Sequence, residues 1–148
     1  MREMLTMDSY NILVVDDEEC NLHSLKRTFR REYNVFSAVN GKDALNIMEE
    51  NDIAIVITDN NMPGMTGPEL LARTSRKCPN AIRIILTGYS DEKTIRAAIK
   101  RGQIHRYITK PWEPEEIKSV VRQGIAAYEA SLAGKSYTGS PPYVYAAG

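Results

Sequence analysis

Five short runs rich in β-branched residues alternate with five stretches of helical period, and this alternation restricts the fold more than any other feature of the chain. Asn11 to Val15, Tyr33 to Ser37, Ile53 to Ile57, Ile82 to Leu86 and Ile104 to Thr109 have the length and branching of strands. Leu22, Leu25 and Phe29 recur on one face of a first helix that ends near Arg31. Asn40-Gly41 opens a second, with Ala44, Leu45 and Met48 facing inward, and Glu50-Asn51-Asp52 closes it. Thr66 and Glu69 are spaced as a capping box, in which each side chain takes a backbone N–H that the helix leaves orphaned. The third helix runs from there through Leu70, Leu71 and Thr74 and stops before Pro79. Gly88-Tyr89-Ser90 reads as a loop; Ser90 caps the fourth helix, which carries Ile95, Ala98 and Ile99 and ends at Gly102. Pro114 starts the fifth, whose face is Ile117, Val120, Val121, Ile125 and Tyr128. Parallel neighbours need right-handed crossover helices, so the expectation is an α/β, doubly wound, five-stranded parallel sheet with helices on both faces.

With 148 residues the chain suits one domain that buries its own core. Lys and Arg together number 19, as do Asp and Glu, and this balance argues against nucleic acid or an anionic membrane as a partner. The apolar runs are strand-sized, short of the ~20 residues a membrane span needs. Met1 to Asn11 mixes Arg2, Glu3 and Asp8 with apolar residues, so no signal peptide is expected. Cys20 and Cys78 fall in no disulfide or metal pattern, which suits reduced thiols and a cytoplasmic location. The expected organisation is an N-terminal extension over 1–9, one domain over 10–130, and a flexible tail or linker over 131–148, where Gly, Ser, Pro, Ala and Tyr replace any apolar period.

The chemistry gathers at the strand ends. Ligands of open parallel sheets bind outside the carboxyl ends of the strands, and there the chain places Asp16-Asp17, Asp59, Thr87 and Lys110. Singly, each has an ordinary explanation: a turn-forming Asp, a capping Thr, an exposed Lys-Pro pair, an acidic first helical turn. All four on one edge make a site. Carboxylates that converge repel, and a divalent cation relieves the repulsion; oxygen ligands alone favour a hard ion such as Mg²⁺. A carboxylate so placed can attack a phosphoryl group and form an aspartyl phosphate. Lys110 supplies a cation, Thr87 a hydroxyl, and Gly88 leaves room for a donor.

Val14-Val15-Asp16-Asp17-Glu18, Asp59-Asn60-Asn61-Met62-Pro63-Gly64-Met65-Thr66-Gly67, Leu86-Thr87-Gly88 and Tyr107-Ile108-Thr109-Lys110-Pro111-Trp112 together resemble the signature of response-regulator receiver domains, over about residues 10 to 130. The resemblance implies the flavodoxin-like, CheY-like (βα)5 fold with strand order 2-1-3-4-5. By that likeness Asp59 is the phosphoacceptor, and Asp16, Asp17, Asp59 and the backbone carbonyl of Asn61 hold Mg²⁺ or Mn²⁺. Thr87 and Lys110 contact the phosphoryl group, Tyr107 is the switch aromatic, and Lys110-Pro111 is a cis peptide. The implied partners are a sensor histidine kinase or phosphotransfer protein and an output domain or protein on the face of helix four, strand five and helix five, with phosphorylation-dependent homodimerisation a further expectation. Thr66 stands where many relatives have Asp. Gly102 to Tyr107 looks one residue longer than the usual loop. The run Arg106 to Trp112 resembles receivers attached to NtrC-type activators or HD-domain cyclic-dinucleotide phosphodiesterases.

Three other readings fit less well. A haloacid-dehalogenase-type phosphatase needs a general acid two residues after its nucleophile, where this chain has Asn61. A flavin-mononucleotide binder needs phosphate donors after strand one, where this chain is acidic. A degenerate receiver would lack a site residue, and every one is present. His105 reads as a surface loop residue.

Overall fold

The structure is a computed structural model that describes residues 10–88 and 92–134. Its elements, in chain order, are β1 (Asn11–Val15), α1 (Glu19–Phe29), β2 (Asn34–Ala38), α2 (Gly41–Glu50), β3 (Ile53–Asp59), α3 (Gly67–Lys77), β4 (Ile82–Thr87), α4 (Glu92–Lys100), β5 (Arg106–Thr109) and α5 (Pro114–Leu132). All four pairings are parallel, and the sheet order is β2-β1-β3-β4-β5. The doubly wound fold expected from the alternation is the one observed.

Side-chain alternation divides the core in two. Ile12, Val14, Ile55, Ile57, Ile84, Leu86 and Ile108 face α1 and α5, where they meet Leu25, Phe29, Ile117 and Val121. Leu13, Val15, Val56, Ile85 and Tyr107 face α2, α3 and α4, against Ala44, Met48, Leu70, Leu71, Ile95 and Ala98. Because both faces are covered, β3 and β4 are buried at every residue, the pattern of central parallel strands. Burying a Leu or Ile side chain contributes about 1.5–3 kcal/mol, so these two layers supply most of the drive to fold.

The capping box forms as its spacing requires: Glu69 N–H donates to Thr66 Oγ1 at 3.2 Å, and Thr66 N–H donates to Glu69 Oε1 at 2.9 Å. Gly102, at φ 76°, ends α4 in the left-handed conformation that glycine adopts without strain. The expected cap at Ser90 lies outside the described residues.

Some boundaries differ from expectation. Helix α1 stops at Phe29 and not near Arg31, because Tyr33 N–H returns to the Phe29 carbonyl at 3.1 Å and the Tyr33 ring packs edge-on against Phe29. That turn keeps Tyr33 out of β2, which begins at Asn34. Helix α5 continues through Leu132, into the stretch expected to be tail. No described helix is long and apolar enough to cross a membrane.

Strand β5 is shorter than expected because a side chain intrudes on its ladder. His105 N–H donates to the Arg83 carbonyl at 2.8 Å, while Arg83 N–H is taken by His105 Nδ1 at 2.9 Å. An imidazole thus stands where a β5 carbonyl would, and regular pairing starts one residue later, at Ile84 with Arg106. His105 is therefore a half-buried structural residue of the loop before β5, tied to β4, and not a merely surface one. Burial, with the Arg83 charge adding to it, pushes its pKa down to about 3. A histidine held neutral on folding favours the native state above its unfolded pKa; below that value the unfolded chain binds the proton that the folded chain refuses. The stability His105 contributes is present near pH 7 and is lost as pH falls from about 6.5 toward 3. On lowering pH from 7 to 5, the native chain should lose about 2 kcal/mol more stability than His105→Asn. Urea denaturation of both proteins at the two pH values measures that difference, and equal losses would contradict a buried neutral imidazole.

Candidate functional site

The carboxyl edge of the sheet gathers side chains from four strands. Asp59 is the last residue of β3 and is 7% exposed; Asp16, one residue past β1, is 1% exposed, and Asp17 beside it faces solvent. One oxygen from each of these three carboxylates lies within 4.8 Å of the others. Lys110, just beyond β5, forms an ion pair with Asp59 Oδ1. Its backbone N–H donates to the Thr87 carbonyl at 2.9 Å, and the Lys110-Pro111 bond that follows is cis, as the resemblance implies.

Asp16 is the most constrained of the acids. Its Oδ1 accepts the Glu18 backbone N–H at 2.9 Å and its Oδ2 accepts Asn21 Nδ2 at 3.1 Å. Burial pushes its carboxyl above the usual range; the Glu18 N–H bond opposes this, and the Asp59 charge adds to the rise. Three carboxylates against one ammonium leave an excess of negative charge in a half-dry crevice. Oxygen donors of this kind fit a hard divalent cation, whose charge would offset that excess. Asn61, the remaining expected ligand, lies exposed in the loop between β3 and α3.

Thr87, the last residue of β4, is 2% exposed and its hydroxyl donates to the Gly88 carbonyl at 3.0 Å. Tyr107 is 4% exposed, in register with Ile85, and packs among the α3 and α4 side chains. Tyr107 and Thr87 therefore share one face of the sheet, two positions apart in its ladder.

Asn21 was not singled out from sequence. It sits in the first turn of α1, three residues after Glu18, and also bonds Glu18 Oε1 at 3.3 Å. Trp112, which enters the sequence reading only within the Tyr107 to Trp112 motif, lines an open groove of about 420 Å³ beside the acids, with Asp16, Asn21, Leu25, Lys110 and Pro111.

Gly67 holds the Asp59 backbone in place. The Asn60 N–H bonds the Leu86 carbonyl at 3.0 Å and the Gly67 N–H bonds the Asn60 carbonyl at 2.9 Å, which folds the loop tightly back on β3. A Cβ at Gly67 would overlap the Asp59 carbonyl oxygen and come within 3.0 Å of Asn60 Cα, both backbone atoms that cannot move alone. Gly67→Ala should therefore cost about 1–3 kcal/mol in urea denaturation. An unchanged midpoint would show that the loop has more room than its backbone bonds suggest.

The model of the response regulator receiver domain family matches residues 12–122. Over 116 residues the chain is 34% identical to the hydrogenase transcriptional regulatory protein HoxA of Cupriavidus necator, covering 78% of this chain and 24% of that protein. It is 32% identical over 118 residues to sporulation initiation phosphotransferase F of Bacillus subtilis, covering 79% of this chain and 94% of that one. The chain thus spans about a quarter of the first relative and nearly all of the second. The signal receiver domain of an HD domain-containing protein from Pseudomonas fluorescens Pf-5 superposes with a TM-score of 0.81 at 32% identity, over 89% of this chain and 97% of that one. A motif set at four strand ends, a sheet in the order β2-β1-β3-β4-β5 and a family match across most of the chain lead to one conclusion: this chain belongs to the response regulator receiver domain family.

Proposed function

We propose that the domain accepts a phosphoryl group on Asp59 from a phosphohistidine of a sensor histidine kinase or phosphotransfer protein, and passes the change on through Thr87 and Tyr107. The observation that carries this reading is the meeting of Asp59 with two further carboxylates and the Lys110 ammonium at one sheet edge. Asp16, Asp17, Asp59 and the Asn61 carbonyl would hold Mg²⁺ or Mn²⁺. When bound, the ion supplies charge neutralisation for the incoming phosphoryl oxygens.

An Asp59 carboxylate oxygen attacks phosphorus. The P–N bond breaks, its electron pair stays on the departing imidazole nitrogen, and that nitrogen takes a proton from water. Lys110, already paired with Asp59, neutralises charge that spreads over the phosphoryl oxygens. Asn21 and the Glu18 N–H keep Asp16 in position while this happens.

The phosphoryl group adds a charge of about −1.5 to −2 and three strong acceptors. To bond one of them, the Thr87 hydroxyl must leave the Gly88 carbonyl. Its movement opens or closes space on the face it shares with Tyr107, and so alters the surface of α4, β5 and α5, where an output domain, a target protein or a second phosphorylated copy would read it. Coupling of about 1–3 kcal/mol suffices for such a switch. The partial coverage of HoxA supports a module of a longer regulator, the near-complete coverage of the sporulation phosphotransferase a stand-alone one. A cytoplasmic setting follows from a kinase partner of this kind.

Incubation with acetyl phosphate and Mg²⁺ should add a single phosphoryl group by intact mass, and Asp59→Asn should take none. Asp16→Asn combined with Asp17→Asn, or chelation of the metal, should slow labelling at least ~100-fold. Labelling that persists in Asp59→Asn, or many turnovers of a phosphate ester per site, would overturn the proposal.

A further inference from the structure

Strand β4 carries a second buried charge at the end opposite Thr87. Arg83 is 5% exposed, and the four described hydrogen bonds of its guanidinium all go to backbone carbonyls. Nε donates to Gln103 at 2.8 Å, Nη2 to Gly102 at 2.9 Å, and Nη1 to Ala81 at 3.0 Å and Pro79 at 3.3 Å. These acceptors are not random. Gly102 and Gln103 close the last turn of α4, with N–H bonds back to Ile99 at 2.9 Å and Ala98 at 3.0 Å. Pro79 and Ala81 follow the end of α3, whose cap residue Cys78 bonds back to Thr74 at 2.7 Å. Arg83 therefore sits beside the C-terminal, negative dipole ends of two helices, which accounts for a buried cation that has no carboxylate partner among the described residues. His105 completes the clamp by exchanging two bonds with the Arg83 backbone.

Helix α4 needs such a clamp. Only Ile95 and Ala98 of its residues are buried, against six residues of α5. Ile95 anchors its first half in the core, and the Arg83 bonds to the Gly102 and Gln103 carbonyls tie down its C-terminal end.

We propose that Arg83 and His105 form a fixed pivot for α4, locking its C-terminal end and the start of β5 to β4, so that a change at Thr87 moves the N-terminal half of the helix and Tyr107 and leaves the C-terminal half in place. This rests on the switch reading above. Arg83 and His105 act as positioning residues, remote from the phosphoryl chemistry.

Hydrogen exchange read by mass spectrometry on the full chain tests it, with and without Mg²⁺ and beryllofluoride as the phosphoryl mimic. Without the mimic, Arg83→Met and His105→Leu should exchange amides of residues 101–106 at least ~10-fold faster than the native chain, whereas His105→Asn, which retains an acceptor for the Arg83 N–H, should stay close to native. With the mimic, the native chain should change protection in residues 92–96 and keep it in 98–106. In Arg83→Met, or in His105→Leu should the first not fold, the change should spread through 98–106. A native chain that responds equally along the whole helix, or variants with native exchange at 101–106, would overturn the pivot. Failure of the native chain to bind the mimic removes the switch and the pivot's role in it, and the comparison without the mimic then decides separately whether the clamp exists.

Discussion

Repulsion among Asp16, Asp17 and Asp59 is the interaction that the rest of the structure has to contain. Two of the three acids are almost wholly buried, and at an effective dielectric near 20 two unit charges about 4–5 Å apart repel by roughly 3–4 kcal/mol. Three features reduce that cost. Lys110 reaches across from β5, Asp16 takes two hydrogen bonds from the start of α1, and Asp17 keeps its contact with water. Residual negative charge remains, and oxygen donors so arranged fit a hard divalent cation. In the proposed phosphoryl transfer, Asp59 is a nucleophile whose neighbours are already in place.

That rigidity comes from the sheet. Each acid follows a strand whose side chains are buried on both faces, so the carboxylates cannot drift apart without disturbing the core. Gly67 and the Asn60 bonds tie the loop after Asp59 to β4, and the Lys110 N–H ties the loop after β5 to the same strand. Strand β4 is thus the common support of both loops that shape the site.

Much of this was legible in the sequence because it depends on local spacing. Period and branching place all ten elements, the three-residue spacing of Thr66 and Glu69 announces a helix start, and the strand ends bring Asp16, Asp59, Thr87 and Lys110 to one edge. What escaped depends on pairings between distant segments. Tyr33 was read as strand because it is aromatic and β-prone, and only its return bond to Phe29 keeps it in a turn. His105 looked like a loop residue because nothing in its neighbours reveals that Arg83, 22 positions earlier, will offer it a backbone N–H. Asn21 was the omission that could have been avoided, since a polar residue in the first turn after an acidic pair faces those acids by helical geometry alone.

The two ends of β4 handle charge in opposite ways, and the difference has a mechanical meaning. At Arg83 a buried cation meets carbonyl dipoles through four hydrogen bonds, all to backbone. At Thr87 a buried hydroxyl makes one neutral bond to an adjacent carbonyl, and an acceptor of higher charge competes with such a bond. In the switch proposed above, helix α4, which buries only Ile95 and Ala98 of its residues, is the element whose surface changes.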